Sequence, residues 1–450
     1  MFKKIQHIHF VGIGGSGMSG IAEVLLHLGY KVSGSDIKKS DVTDHLEKLG
    51  ATVYIGHKEE NIKGANVVVT STAVERTNPE VVAAENNKVP VIPRIEMLAE
   101  LARLKYTVSI AGTHGKTTTT SMACLVLEQG GLDPTMVIGG RLKNIKSGAK
   151  LGKGEFLVAE ADESDGSFLK LSPTIVVVTN IDNDHLDYYG TIENIKRAFV
   201  EHINSIPFYG TAMLCADNAN VSEILPQIRR HYSTYGLEGT PDYTAKNIFR
   251  SDNTTTFTVI NRGKEIGNIN LKVPGRHNVQ NALAAVAVGL ELNIPFDKIS
   301  QALGSFAGVG RRLEIKGEKN GIMVIDDYGH HPTEIKATIE AIKGNWAGRR
   351  LVVLFQPHRY SRTAHLYKEF GAVFKNADVI KILDIYPAGE KPVAGVSSQL
   401  IIDSITAGGQ VAETFKGLEI LQSELLPGDI VLTLGAGDVC KTGEELLTKI

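Results

Sequence analysis

The sequence predicts an α/β protein of three domains in series. Short β-branched runs alternate with helical stretches over most of the chain, the pattern of parallel sheets covered on both faces. Glycine-rich turns follow strand candidates at three places: Gly12 to Gly17, Gly112 to Gly115 and Gly435 to Gly437. A length of 450 residues suits two to four hydrophobic cores.

Residues 1–106 read as the first domain. Its strands are His7 to Ile13, Lys31 to Asp36, Val67 to Ser71 and Val89 to Ile92, with a helix from Ile21 to Leu28 closed by Gly29. The second domain covers 107–310. Its strands are Thr107 to Ile110, Phe156 to Ala159, Thr174 to Thr179 and Ala212 to Cys215. An added antiparallel portion follows, Thr254 to Ile260 and Ile266 to Leu271 around the turn Asn261-Arg262-Gly263. The alanine-rich stretch Asn278 to Leu292 predicts a helix packed on the core. The third domain, 311–450, has strands at Gly321 to Asp326, Leu351 to Phe355, Val379 to Leu383 and Asp429 to Leu434.

Composition excludes several classes. Hydrophobic content of 42% and charged content of 22% are those of a globular protein in water. A formal net charge of −2 argues against nucleic-acid binding through a broad basic surface. Cys124, Cys215 and Cys440 stand far apart, without a C-x-x-C pair, so buried thiols in a reducing compartment are expected. His7, His9 and the glycines from position 12 spoil a signal-peptide core, and no apolar run is long enough to span a membrane. A cytoplasmic protein without a membrane partner is therefore expected. Monomer and dimer both remain open.

Gly112-Thr113-His114-Gly115-Lys116-Thr117-Thr118 has the layout of a phosphate cradle between strand and helix. Glycines let backbone N–H groups face an anion, and the helix N-terminus adds its positive end. Lys116 offers a mobile charge to the outer phosphates, and Thr117 an oxygen to Mg²⁺. The Walker pattern wants a further glycine where Ile110 stands, so the loop is a shortened one. Glu160 ends an apolar strand, where a carboxylate can serve Mg²⁺; the other acids of that loop, to Asp165, are expected to be solvated. His185 lies in the acid-rich loop Thr179 to Asp187 and is a candidate ligand for a second metal.

Gly12-Ile13-Gly14-Gly15-Ser16-Gly17 fits G-x-G-x-x-G, and Asp36 ends the next strand where a ribose-binding acid belongs. The first domain thus reads as Rossmann-like, for NAD or for another diphosphate on a ribose such as a UDP-sugar. The third domain, also Rossmann-like, carries Asp326 to Glu334 and Gln356 to Thr363 after two of its strands. Arg359 and Arg362 are three apart, on one helical face, and can clamp a carboxylate. A dehydrogenase would leave Lys116 and the threonines after it unexplained. A P-loop NTPase would leave Asp36 and the third domain unexplained. A diphosphate domain, an ATP domain and an arginine-rich domain together point to a ligase.

These motifs resemble the Mur ligase superfamily, which includes folylpolyglutamate synthases, and the likeness covers the whole chain. Asp327-Tyr328-Gly329-His330-His331-Pro332-Thr333-Glu334 and Gln356-Pro357-His358-Arg359 are similar to its L-alanine-adding branch. A related peptide-recycling branch is the alternative. The resemblance implies ATP-dependent joining of L-alanine to the lactyl carboxylate of UDP-N-acetylmuramate through an acyl phosphate, in peptidoglycan synthesis. It implies that Lys116 and the amides of Gly112 to Thr118 hold ATP, with Asn278, Asn281 and Arg311 on the nucleotide. It implies Mg²⁺ on Thr117 and Glu160, and a second on His185. It gives the UDP-sugar to Gly12, Gly14, Gly15, Ser16, Gly17 and Asp36. It gives the amino acid and reacting carboxylate to Tyr328, His330, His358, Arg359 and Arg362. Sister ligases use a carbamylated lysine downstream of the equivalent of His185; Val200 stands at that distance here, and no carbamate is expected. Substrates on three domains imply closure, with hinges near 106 and 310.

Overall fold

The structure is a computed structural model and describes residues 5–71, 73–144, 147–251 and 254–450, apart from the side chains of Ser16, Arg141 and Asp187. Of the expected sugar-binding residues, only the Ser16 side chain lies outside the described residues. Three sheets carry the chain. The first is all parallel, in the order Thr52–Ile55, Lys31–Asp36, His7–Val11, Val67–Thr70, Val91–Pro93. Chain order reverses beside His7–Val11, so the loop after that strand opens at the crevice where α/β sheets bind ligands.

The central sheet has ten strands. Tyr106–Ala111 lies between Ile175–Val178 and Phe156–Glu160, parallel to both, which brings the ends of three apolar strands together. One margin is the pair Thr135–Leu142 and Ser147–Lys150; the other is Tyr243–Ser251, Thr254–Asn261 and Lys264–Leu271. Arg262 (φ +45°) and Gly263 (φ +80°) turn the predicted hairpin, both in the left-handed region that a two-residue turn requires. The third sheet runs Glu314–Lys319, Ile322–Asp327, Ile430–Leu434, Leu351–Phe355, Val379–Ile382, Glu413–Thr414, with only the first strand antiparallel to its neighbour.

By contacts the chain forms two compact units. One comprises residues 1–247, 257–269 and 280–306, and the other 248–256, 270–279 and 307–450. The domain joint expected near residue 106 thus lies inside one compact unit. Helix Ser16–His27 of the first sheet lies along the pair 135–150 of the central sheet, where Ser147 Oγ donates to Glu23 Oε2 at 3.0 Å. One apolar cluster holds Ile8, Phe10 and Leu25 together with Leu157, Val176 and Phe199. Parting these sheets would expose that shared core to water. In the other unit a separate cluster, including Ile325, Val353, Phe355 and Leu432, lies under the third sheet.

A polar network is buried beneath the first sheet. Glu80, in the first turn of helix Pro79–Asn86, is fully buried and accepts from Ser35 Oγ and Asn61 Nδ2, each at 2.5 Å. His57 Nδ1 lies 3.2 Å away and His9 Nε2 3.8 Å away. Burial pushes the carboxyl up, but His9, Ser35 and Asn61 outweigh it and bring it down to about 2. A folded value below the unfolded one stabilises the fold above the unfolded value, and that contribution is lost as pH falls toward 2. It amounts to about 3 kcal/mol at neutral pH. Glu80→Gln is expected to lower stability at pH 7 by about that amount, with the gap to wild type still open at pH 3 and closing only as pH falls to about 2 and below; urea unfolding at several pH values measures it.

Candidate active site

The phosphate-cradle residues converge at the head of helix Lys116–Gln129. Gly112 has φ +132°, and a Cβ there would stand 2.1 Å from Thr179 Oγ1, so only glycine fits. The neighbouring segment holds the loop from outside. Thr179 Oγ1 donates to the His114 carbonyl at 2.6 Å, and the His114 N–H donates to Asn180 Oδ1 at 2.8 Å. The Asp182 N–H donates to Thr113 Oγ1, and the His114 ring meets Asp182 Oδ2 at 3.0 Å. Gly115, at φ +80°, caps the helix. Thr118 is buried, and so is Asn281, whose Oδ1 accepts from Thr119 Oγ1 at 3.1 Å behind the loop. Asn281 thus supports the cradle from the protein side. Asn278 is buried too, with Nδ2 on the Pro274 carbonyl at 2.6 Å.

Lys116, Thr117 and Glu160 form one cluster. Thr117 Oγ1 donates to Glu160 Oε2 at 3.2 Å, and Gly139 N–H donates to Glu160 Oε1 at 2.7 Å. Lys116 Nζ lies 2.9 and 2.8 Å from the two oxygens of Glu163 and also donates to the carbonyls of Gly112 and Thr113. Burial alone would lower the lysine's pKa, but Glu163, then Asp162 and Glu160, raise it, so the ammonium stays charged. Glu163 was expected to be solvated; it is only 2% exposed, because its carboxylate faces the lysine and not water. Asp162, expected in water as well, pairs with Arg94 at 2.8 Å. His185 has φ +57°, and its Nε2 stands 3.8 Å from Glu163 Oε1, which places it beside the same cluster. Lys196, the nearest lysine downstream of His185, pairs with Glu223 Oε2 at 2.5 Å.

In the first sheet the glycine loop turns where expected. Gly12 (φ +79°) donates to the Ser35 carbonyl, and the Gly14 N–H donates to Asp36 Oδ2 at 2.9 Å. Asp36 therefore spends one oxygen on the loop itself. The Arg94 guanidinium packs on Gly17 so closely that a Cβ would lie 2.4 Å from Nη1. Gly15 caps the helix that Ser16 opens. Nothing in the sequence marks Arg94, since a lone arginine after a short strand has no motif around it.

The third sheet carries a row of cations and rings. Arg311 pairs with buried Asp326 at 3.1 Å and donates to the Gly435 carbonyl at 2.6 Å. Arg311 and Arg312 both lie over the Tyr328 ring, at 5.0 and 5.2 Å. Tyr328 meets His330 edge-on at 5.6 Å, and His330 stands 5.7 Å from His358. His358 stacks on Tyr386, and its Nδ1 is 3.3 Å from Arg362 Nη1. Burial, then Arg362 and Arg359, lower the His358 pKa to about 4. The ring is therefore neutral at pH 7, and Nδ1 accepts from the arginine. Exposed Arg359 caps helix Tyr360–Val373 at φ +70° and ψ 142°, a backbone shape suited to glycine, held by its N–H on the Tyr386 carbonyl at 2.9 Å. Sequence reasoning missed Glu334 as the loop's brace: it accepts from the N–H groups of His330 and His331 and pairs with Arg312. The capping pattern before helix Pro332–Asn345 was a readable signal for it.

Family models match the chain in three consecutive stretches. These are the Mur ligase family catalytic domain at 7–106, the Mur ligase middle domain at 110–289, and the Mur ligase glutamate ligase domain at 311–437. A relative from Endomicrobium trichonymphae, a UDP-N-acetylmuramate–L-alanine ligase, is 64% identical over the full length of both chains. The chain belongs to the Mur ligase family. Its three-domain α/β architecture is the family's, as a solved UDP-N-acetylmuramate–alanine ligase of Thermotoga maritima shows: 31% identical, TM-score 0.84, 98% of each chain covered. A murein peptide ligase of Psychrobacter arcticus, 24% identical with TM-score 0.75 over 98% of each chain, shares the Mur ligase fold. Among the described residues no helix is long and apolar enough to cross a membrane.

Proposed function

We infer that this Mur ligase joins L-alanine to the lactyl carboxylate of UDP-N-acetylmuramate, with ATP cleaved to ADP and phosphate, as a step of peptidoglycan synthesis in the cytoplasm. The observation that carries the reading is the cluster of Lys116, Thr117 and Glu160 at the head of one helix, in a chain that matches an L-alanine-adding relative from end to end. The domains divide the work as 1–106 for the UDP-sugar, 107–310 for ATP and 311–450 for the amino acid.

Lys116 and the loop amides hold the β- and γ-phosphates. The lactyl carboxylate attacks the γ-phosphorus, ADP leaves, and an acyl phosphate forms. The amine of L-alanine then adds to the acyl carbon, and phosphate leaves from the tetrahedral intermediate. Both steps gather negative charge, which fixed donors stabilise without reorganising. A hydroxyl and a carboxylate oxygen side by side, Thr117 Oγ1 and Glu160 Oε2, suit Mg²⁺, and His185 beside Glu163 suits a second ion. Bound there, Mg²⁺ neutralises phosphate charge. Gly12 to Gly17 with Asp36 cradle the UDP-sugar, Asn278, Asn281 and Arg311 serve the nucleotide, and Tyr328, His330, His358, Arg359 and Arg362 receive the amino acid and reacting carboxylate.

The test is ADP release with UDP-N-acetylmuramate and a panel of L-alanine, glycine, L-serine and the peptide L-alanyl-γ-D-glutamyl-meso-diaminopimelate. Strong dependence on L-alanine is expected. Preference for the peptide would replace this reading by the recycling one, and ADP release without any acceptor would favour an NTPase.

A further inference from the structure

Glu163 is a carboxylate of the site that takes no part in the steps above. Its backbone is fixed: the carbonyl accepts from Tyr189 Oη at 2.6 Å and from the Gly166 N–H at 3.1 Å. Its side chain is 2% exposed, and both oxygens are on Lys116 Nζ. With the carbonyls of Gly112 and Thr113 as further acceptors, the three ammonium protons are all engaged inside the cradle. The lysine that should meet an incoming phosphate is thus folded onto its own loop by a buried anion. An arriving phosphate must take the lysine from Glu163 and then lie close to the carboxylate it has displaced. Two anions at short range away from water repel strongly. The carboxylate cannot retreat with its loop, because its main chain is tied down. His185 Nε2, the candidate ligand for the second cation, stands 3.8 Å from Oε1, the oxygen 2.9 Å from Lys116 Nζ.

We propose that Glu163 is a specificity-determining residue that makes nucleotide entry depend on a divalent cation: it holds Lys116 against metal-free nucleotide and admits nucleotide only when a cation at the His185 side neutralises the carboxylate. The proposal rests on the nucleotide reading of the loop. Its sign is unusual. Removing an acidic residue from a metal-nucleotide site should weaken binding if that residue is a ligand or a structural prop. Here Glu163→Gln should strengthen binding of nucleotide without metal, because the phosphate then meets an uncommitted ammonium and no opposing charge.

The experiment is calorimetric titration of ADP into wild type and Glu163→Gln, in EDTA and in excess Mg²⁺. In EDTA the variant is expected to bind ADP at least tenfold more tightly than wild type. The ratio of affinities with and without Mg²⁺, large in wild type, should shrink by the same factor. The ligand-free variant should melt at lower temperature than wild type, and ADP without metal should restore it. Glu163→Asp keeps the charge but shortens the reach to Lys116, so its metal-free affinity should fall between the two; it carries the test if the glutamine variant fails to fold. Unchanged or weaker metal-free binding in the variants would overturn the proposal. Wild type that binds no ADP even with Mg²⁺ would instead overturn the nucleotide reading of the loop, so the two failures are distinguishable.

Discussion

Lys116→Ala is expected to lower ADP release by a hundred- to a thousand-fold while binding of UDP-N-acetylmuramate persists. The rate effect follows from losing one preformed contact to a phosphoryl group that gains charge in the transition state, about 3–4 kcal/mol. Sugar binding persists because the first glycine loop is built on a different sheet and held by its own acid, Asp36 on the Gly14 N–H. The substitution also strands Glu163, 2% exposed and without its cation. Leaving a buried charge unpaired costs more than the pair itself contributes. A second change therefore separates the two roles. The double variant Lys116→Ala, Glu163→Gln should recover stability lost in the single variant and recover no turnover. A coupled ADP assay and a thermal melt on the three proteins check this. Near-normal turnover in Lys116→Ala would remove the basis for the cradle.

What was legible in the sequence is what local chemistry dictates. A β-branched run such as Thr174 to Thr179 has few alternatives to a buried strand, and Gly112 and Gly115 occupy backbone shapes that other residues resist. Two of the strands missed show why. Thr135–Leu142 contains Gly139 and Gly140, and Thr52–Ile55 has no buried residue, so neither shows an apolar pattern. Within the site, residue types and neighbourhoods were readable but pairings were not. Glu163 meets Lys116 across 47 positions, and Arg94 meets Asp162 across 68. Such pairings depend on which strands adjoin, which no local window contains. The same blindness applies to the joint near 106. The joint was visible as a change of domain, but the packing of helix Ser16–His27 on the strands at 135–150, which makes the two sheets one unit, was not.

Arg359→Gly is expected to raise stability by about 1–2 kcal/mol and to lower kcat/KM for L-alanine by on the order of a hundredfold. The two effects have separate origins in one residue. At φ +70° and ψ 142° the backbone of Arg359 lies where a side chain crowds its own main chain. Glycine relieves this, at some cost in chain entropy. The shape persists because the surroundings impose it: the Arg359 N–H is bound to the Tyr386 carbonyl, the Tyr386 N–H to the Pro357 carbonyl, and the Tyr386 ring lies against His358. That strain aims the guanidinium outward from the end of the strand, beside the neutral His358 and one turn from Arg362. A charged donor fixed this way can meet a carboxylate without first being ordered, which is the advantage the strain supplies. Arg359→Ala is the control: it removes the guanidinium and keeps the crowding, so it should lose activity equally and gain no stability. Urea unfolding and steady-state kinetics on both variants separate the terms. If glycine and alanine were equally stable, the backbone would not be strained; if glycine kept full activity, the arginine would not be a ligand.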